Sequence, residues 1–432
     1  MAEHRGGTDP GGRGGAGRRR RPAARLVALA LAGAGLVGVT APAAGALGTA
    51  GPVGVVTVTG AQDGVTPDTG ARGPRKGVDP RALDAAAQAI VDSGGASASL
   101  ARVGEYGRTL WKGAAGTADY TTGAPASATG RFRIGSVTKT FVSTVVLQLV
   151  AEGRLGLDDP VERLLPGAVP NGANITLRQL LNHTSGLFDY TEDQAFDPGA
   201  PGALERWLVN GRYTRWTPQQ LITLANNHPV YFPPGQGYHY SNTDYILAGQ
   251  IIQRATGRTW QQEVERRIIR PLGLTATSMP DHETAVPGPH AHGYFDLPDG
   301  RVDVTELDPS MAGASGAGIS TTADLNTFIT ALLGGRLLPR QQLAEMMTVT
   351  PQSQGGYGLG LERTTTDCGE LWGHTGGIPG FSTFLYGTAD LRRQLSVSMN
   401  GSGISTPLPT RKAFEKLVAA ATCDAPAPLG RD

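Results

Sequence analysis

The stretch FRIGSVTKTFVSTVVLQLV, residues 132–150, constrains this chain more than any other. A helix starting near Ser136 places residues three and four apart on one face, so Ser136, Lys139, Thr140 and Ser143 share a side. Val137, Phe141, Val142, Val145, Val146, Leu149 and Val150 fill much of the remaining surface, the pattern of a helix deep in a core. A lysine on such a helix has to be explained, because burying its charge is costly unless it is paired or neutral. The chain uses lysine sparingly, with five Lys against 33 Arg. Arginine keeps its proton at working pH, whereas a desolvated lysine can release it. Lys139 therefore reads as a proton acceptor, with Ser136 one turn earlier as nucleophile at a helix N-terminus that favours an alkoxide. A lysine snorkelling from a surface helix is the plainer alternative. Ser136 is the only serine in the chain with a lysine three residues on.

The first 46 residues read as an export signal: seven arginines, then the uncharged apolar run 26–39, then the small-residue sites Ala41-Pro-Ala43 and Ala44-Gly-Ala46. That run is short for a membrane span, and an uncleaved N-terminal anchor is the alternative. No later stretch is long and apolar enough to cross a bilayer. A secreted protein of the cell-wall space is expected, with a flexible leader over 47–78. Beyond residue 46 there are 31 basic and 35 acidic residues, a balance that does not invite nucleic acid. Two cysteines in an exported chain, Cys368 and Cys423, are expected to form a disulfide tying the chain end to the strand region before it.

Along the mature chain, Pro80 opens a helix that stops at a glycine. Residues 96–103 and 108–114 read as paired strands. Short helices are expected over 177–181, 218–225, 243–255 and 261–269. From Tyr357 to Met399 the period is two, giving the strands YGLGLERT, ELWGH, FSTFLYG and QLSVSM before a last helix over 409–421. Strands at both ends with helices between predict a single catalytic domain over 79–425. Its α/β (α+β) architecture combines an antiparallel sheet (about 79–135 and 310–425) with a mostly helical region (about 155–305).

Two further motifs supply chemistry. Tyr240-Ser241-Asn242 is the only Tyr-x-Asn in the chain. A phenol beside a lysine ammonium can be held as phenolate and accept the serine proton, and Asn242 can hold both the lysine and a substrate amide. An asparagine helix cap is the plainer reading. His374-Thr375-Gly376-Gly377 ends a predicted strand with little side-chain bulk, leaving room for a substrate backbone along that edge. The N–H groups of Gly377 and Ser136 could then form an oxyanion hole. His290-Ala-His292 has no spaced third ligand, so no metal is expected, nor any cofactor.

Ser136-x-x-Lys139, Tyr240-x-Asn242 and His374-Thr375-Gly376, in this order, resemble the serine penicillin-recognising family, most closely its class C β-lactamase and D-alanyl-D-alanine carboxypeptidase branch. LLNHTSGL at 180–187 and SMAGASGAGIST at 310–321 belong to the resemblance, which covers about residues 79–423. It implies a β-lactamase/transpeptidase-like fold and a monomeric serine carboxypeptidase acting on peptidoglycan stem peptides or another small acyl substrate. Ser136 would form the acyl-enzyme while Lys139 and Tyr240 share its proton. His374 and Asn242 would orient that network, Thr375, Gly376 and Gly377 would bind substrate, and β-lactams would inhibit by acylating Ser136. One departure is visible. Carboxypeptidases of the branch hold the substrate carboxylate with an Arg on the strand before the His motif and a hydroxyl three residues after the His. Here Glu362 takes the Arg position, Arg363 falls on the opposite face, and Gly377 replaces the hydroxyl. Esterases, D-aminopeptidases and β-lactamases of the family therefore compete with the carboxypeptidase.

Overall fold

A computed structural model describes residues 77–197, 202–297, 300–401 and 407–423. The predicted export signal and nearly all of the leader lie outside these residues. A seven-stranded antiparallel sheet carries the fold, with strand order Ala124–Pro125, Arg108–Asp119, Ala96–Glu105, Gln394–Gly401, Phe381–Gly387, Gly369–Ile378, Glu362–Thr366. N- and C-terminal segments meet at its centre, where Ala96–Glu105 pairs with Gln394–Gly401.

Helices Pro80–Asp92 and Leu408–Thr422 cover one face, with Leu83, Ile90, Val103, Val397, Phe414 and Leu417 forming a core there. Asp79 caps the first helix by accepting from the Arg81 N–H at 2.9 Å, and Pro80 presets its entry. The Cys368–Cys423 disulfide ties the turn before the Gly369–Ile378 strand to the end of the last helix.

The other face holds the main core and the helix Val137–Ala151. Every residue from Val137 to Leu147 is buried, so this helix is wrapped on all sides. Around it lie short helices opened by reciprocal Thr–Gln caps at Thr176, Thr217 and Thr259. The segment expected as one helix over 261–269 is α-helical to Val264, then widens into a π-helical stretch over Glu265–Ile269.

One strand differs from expectation in a way that shapes the site. YGLGLERT was expected to be extended throughout, but the strand begins only at Glu362. Gly360 has φ +73°, and a Cβ there would lie 2.2 Å from Ser143 Oγ; one on Gly358 would lie 2.2 Å from the Met346 carbonyl oxygen. The two glycines let this backbone bend onto the core helix, where Thr140 Oγ1 donates to the Gly360 carbonyl at 2.9 Å. The bend delivers Tyr357 into the interior.

Candidate active site

Ser136 stands at the N-cap of the core helix, 3% exposed. Glycines fix the approach of the strand beside it. Gly135 has φ +50°, and a Cβ on it would lie 2.7–2.9 Å from the Gly377 backbone. A Cβ on Gly376 would lie 2.0 Å from the Ile134 carbonyl oxygen and 3.0 Å from the Ser136 nitrogen. Without those side chains the Gly369–Ile378 strand runs against the head of the helix, and Ser136 and Gly377 come to line one cleft. The cleft is narrow, about 20 Å³, enough for little more than one water.

Lys139 is fully buried. Its Nζ donates to Ser136 Oγ at 3.1 Å, to Asn242 Oδ1 at 2.7 Å and to the Ser315 carbonyl at 2.8 Å. Three donors thus meet three acceptors. Burial pushes the amine down to about 7, against the pull of Asp189, Asp244 and Glu362. The lysine is therefore poised between its two charge states near neutral pH.

Asn242 opens the helix Asn242–Thr256, and Asp189 sets its orientation by accepting from Nδ2 at 2.9 Å. With Nδ2 directed at a carboxylate, Oδ1 is left to face the lysine. Asp189 also caps its own turn by accepting from the Thr191 N–H, and burial raises its pKa above the ordinary carboxylate range.

Tyr240 lies against the same cluster, its ring centroid 4.7 Å from Lys139 Nζ and 4.3 Å from the His183 ring. Its hydroxyl is buried without a well-formed hydrogen bond, although the neighbouring Ser136 hydroxyl works to lower its pKa. Burial outweighs that effect and raises the phenol well above 10. The ammonium contact that would hold a phenolate is not formed here, since Nζ faces the ring rather than the oxygen.

His374 sits farther back. Its Nε2 meets the Tyr357 hydroxyl at 2.8 Å, its Nδ1 faces the Thr375 carbonyl, and its ring lies 6.4 Å from that of Tyr240. Among the described residues it makes no direct hydrogen bond to Ser136, Lys139 or Tyr240. Thr375 turns to Glu362, which accepts from its N–H and its Oγ1, both at 3.0 Å. Glu362 thereby closes the strand edge beyond Gly373. Arg363 points away as alternation requires, donating to the Gly355 carbonyl at 2.9 Å and to Glu370 at 3.3 Å.

The geometry adds groups that had no role in the sequence reading. Tyr357 bridges His374 and His183, and His183 continues to buried Asp244 at 2.9 Å. The Ser315 carbonyl holds the lysine. His290 and His292 stack on each other, and among the described residues no group of three or more metal-ligating side chains occurs.

A nucleophile within hydrogen-bond reach of a desolvated amine, beside two backbone amides, can carry out acyl transfer. Comparison with known proteins agrees. The Beta-lactamase family profile matches residues 83–420. The fold is similar to a D-stereospecific amidohydrolase from Streptomyces sp., with TM-score 0.71 and 41% identity over 81% of this chain and 100% of that one. It is also similar to the D-amino acid amidase of Ochrobactrum anthropi SV3, with TM-score 0.68 and 29% identity over 79% and 97% of the two chains. A penicillin-binding protein of Bacillus subtilis is 28% identical over 315 residues, covering 67% of this chain and 65% of that protein. The chain spans 65%, 53% and 45% of the length of three curated relatives. With the profile running from the first helix to the last, the protein belongs to the beta-lactamase family and has the penicillin-recognising serine-hydrolase fold.

Proposed function

We propose that the protein hydrolyses amides of D-amino acids through an acyl-enzyme on Ser136. The observation that carries this choice is Glu362. Its carboxylate occupies the strand position where a carboxypeptidase of the branch needs a cation, and it is bonded to Thr375, two residues before the Gly377 that lines the cleft. None of the described residues lining the cleft is cationic, and Arg363 is committed elsewhere. A substrate ending in a free carboxylate would meet like charge there, whereas an uncharged amide would not. The amidohydrolase and amidase relatives support the same reading, including the D configuration.

In this mechanism neutral Lys139 takes the Ser136 proton as Oγ attacks the substrate carbonyl. The N–H groups of Ser136 and Gly377 hold the oxyanion. The proton returns from Lys139 to the leaving nitrogen, the C–N bond breaks, and water then releases the acid. β-Lactams acylate the same oxygen. Penicillin-binding and putative D-alanyl-D-alanine carboxypeptidase relatives support carboxypeptidase activity on peptidoglycan stem peptides as the second reading. Export to the cell-wall space is part of the proposal, supported by the N-terminal sequence and by the disulfide.

The test is a substrate panel: D-alaninamide, L-alaninamide, a D-Ala-D-Ala peptide, a nitrophenyl ester and a chromogenic cephalosporin. The D-amide is expected to exceed both the L-amide and the peptide at least about tenfold in kcat/KM, a difference of 1.4 kcal/mol or more. Peptide mapping after penicillin treatment should place the added mass on Ser136. Faster cleavage of the peptide than of the amide would transfer the assignment to the carboxypeptidase.

A further inference from the structure

The cleft beside Ser136 is too small for a substrate side chain, and a much larger cavity adjoins it. That cavity measures about 730 Å³ against about 20 Å³ for the cleft. Phe196, Trp207, Val209, Trp216 and Met311 form its apolar wall, and Met311 lines both spaces. The join is built rather than incidental. Tyr190, a wall of the cleft, donates from its hydroxyl to the Met311 carbonyl at 2.8 Å. Its ring meets Phe196 edge-on at 5.4 Å, and Phe196 in turn lies 5.1 Å from Trp216. The three aromatic residues Phe196, Trp207 and Trp216 are only partly buried, so apolar ring surface remains open beside the nucleophile.

Gly377, Ile378, Asn242 and Met311 all line the cleft, whereas Thr375 and Glu362 are not part of its wall. For a carbonyl seated between the Ser136 and Gly377 amides, the cavity behind Met311 offers the room that the cleft lacks for a large substituent. Met311 is buried there, and its unbranched thioether has the rotatable bonds to adopt another rotamer.

We propose that this cavity is the acyl-side specificity pocket, and that it takes an aromatic or large apolar side chain of the acyl residue with Met311 as a movable partition. This rests on the acyl-enzyme reading above. Burying a benzyl or indole group in an apolar site corresponds to about 10- to 100-fold in affinity or kcat/KM over a methyl group.

The experiment compares D-alanine, D-leucine, D-phenylalanine and D-tryptophan amides with one common leaving group. It is run on the wild type, on Ala203→Trp, which fills the cavity, and on Trp207→Ala, which removes a wall. Expected is a D-Phe to D-Ala ratio of about 10–100 in the wild type, falling toward unity in both variants through loss of D-phenylalaninamide turnover. D-Alaninamide turnover also reports whether Ala203→Trp folds; if it does not, Trp207→Ala carries the comparison. A wild-type ratio near one, or a ratio untouched by either variant, overturns the pocket. In parallel, binding of D-phenylalaninol and D-alaninol to the full chain is followed by tryptophan fluorescence and calorimetry, which need no turnover. If no amide is cleaved, the amidase reading falls, and the alcohols still decide the pocket: tighter binding of D-phenylalaninol, lost in Trp207→Ala, supports it, and equal binding refutes it.

Discussion

Lys139→Met is expected to leave a folded protein whose kcat/KM on its best amide is lower by about 10³-fold or more, the scale of losing a positioned general base. Lys139 Nζ is the basic group within hydrogen-bond reach of Ser136 Oγ, and burial has brought it to about 7. Lys139→Arg should fail as badly despite keeping the charge, because a guanidinium does not release its proton. The pH profile distinguishes a base from a mere anchor. In the wild type kcat/KM should rise with pH through about 7 and level off above it, since the ammonium has no lone pair with which to accept the serine proton. Residual activity in the methionine variant should lack that limb. Steady-state kinetics from pH 5 to 10 check both points, and a methionine variant retaining a tenth of wild-type activity would remove Lys139 from the role of base.

How far the site could be read from sequence depends on whether its geometry is local. The Ser136–Lys139 contact spans one helical turn, so spacing and apolar surroundings were enough to expect it. Arg363 leaving the site was likewise legible, since strand alternation is a local rule. Tyr357 was not, because period-two patterning reads straight through YGLGL, whereas the bend depends on Gly358 pressing against the Met346 carbonyl and on Gly360 pressing against Ser143, which is far away in the chain. That same bend gives His374 a partner other than the catalytic phenol. Nothing local in the sequence singles out Asp189 or Asp244. Their roles arise only when residues more than fifty positions apart are brought together, Asp189 with Asn242 and Asp244 with His183. The aromatic cavity lies along irregular connections between short helices, where no periodicity marks which rings face one another.

The buried chain behind Tyr240 leads to the second large effect. Its proton positions follow from its ends. The Thr375 carbonyl can only accept, so His374 carries its proton on Nδ1 and receives the Tyr357 hydroxyl proton at Nε2. The Tyr357 oxygen then accepts from His183 Nε2 at 3.3 Å. His183 Nδ1 faces both the Ser241 N–H at 3.3 Å and Asp244 at 2.9 Å, which makes it an acceptor and leaves the shared proton on Asp244. Burial acts in the same sense on both partners, raising Asp244 well above 3.8 and lowering His183 well below 6.5. An asparagine reproduces a protonated aspartate, donating to Nδ1 from its amide and accepting from Ser185 at its carbonyl, as Asp244 Oδ1 does at 2.6 Å. Asp244→Asn is therefore expected to fold and retain activity, whereas Asp244→Ala should cost about 2–5 kcal/mol, the scale of leaving two buried polar partners, His183 and Ser185, unpaired. Linkage gives a second signature. Above about 6.5 the folded pair holds one proton and the unfolded chain none, so this pair makes stability fall as pH rises, by about 1.4 kcal/mol per unit. Asp244→Asn removes that proton from the folded state and with it the slope. Denaturant unfolding of the wild type and both variants between pH 6 and 9 measures the difference. An asparagine variant as unstable as the alanine variant would mean that His183 needs a carboxylate charge, and that the pair is ionised rather than neutral.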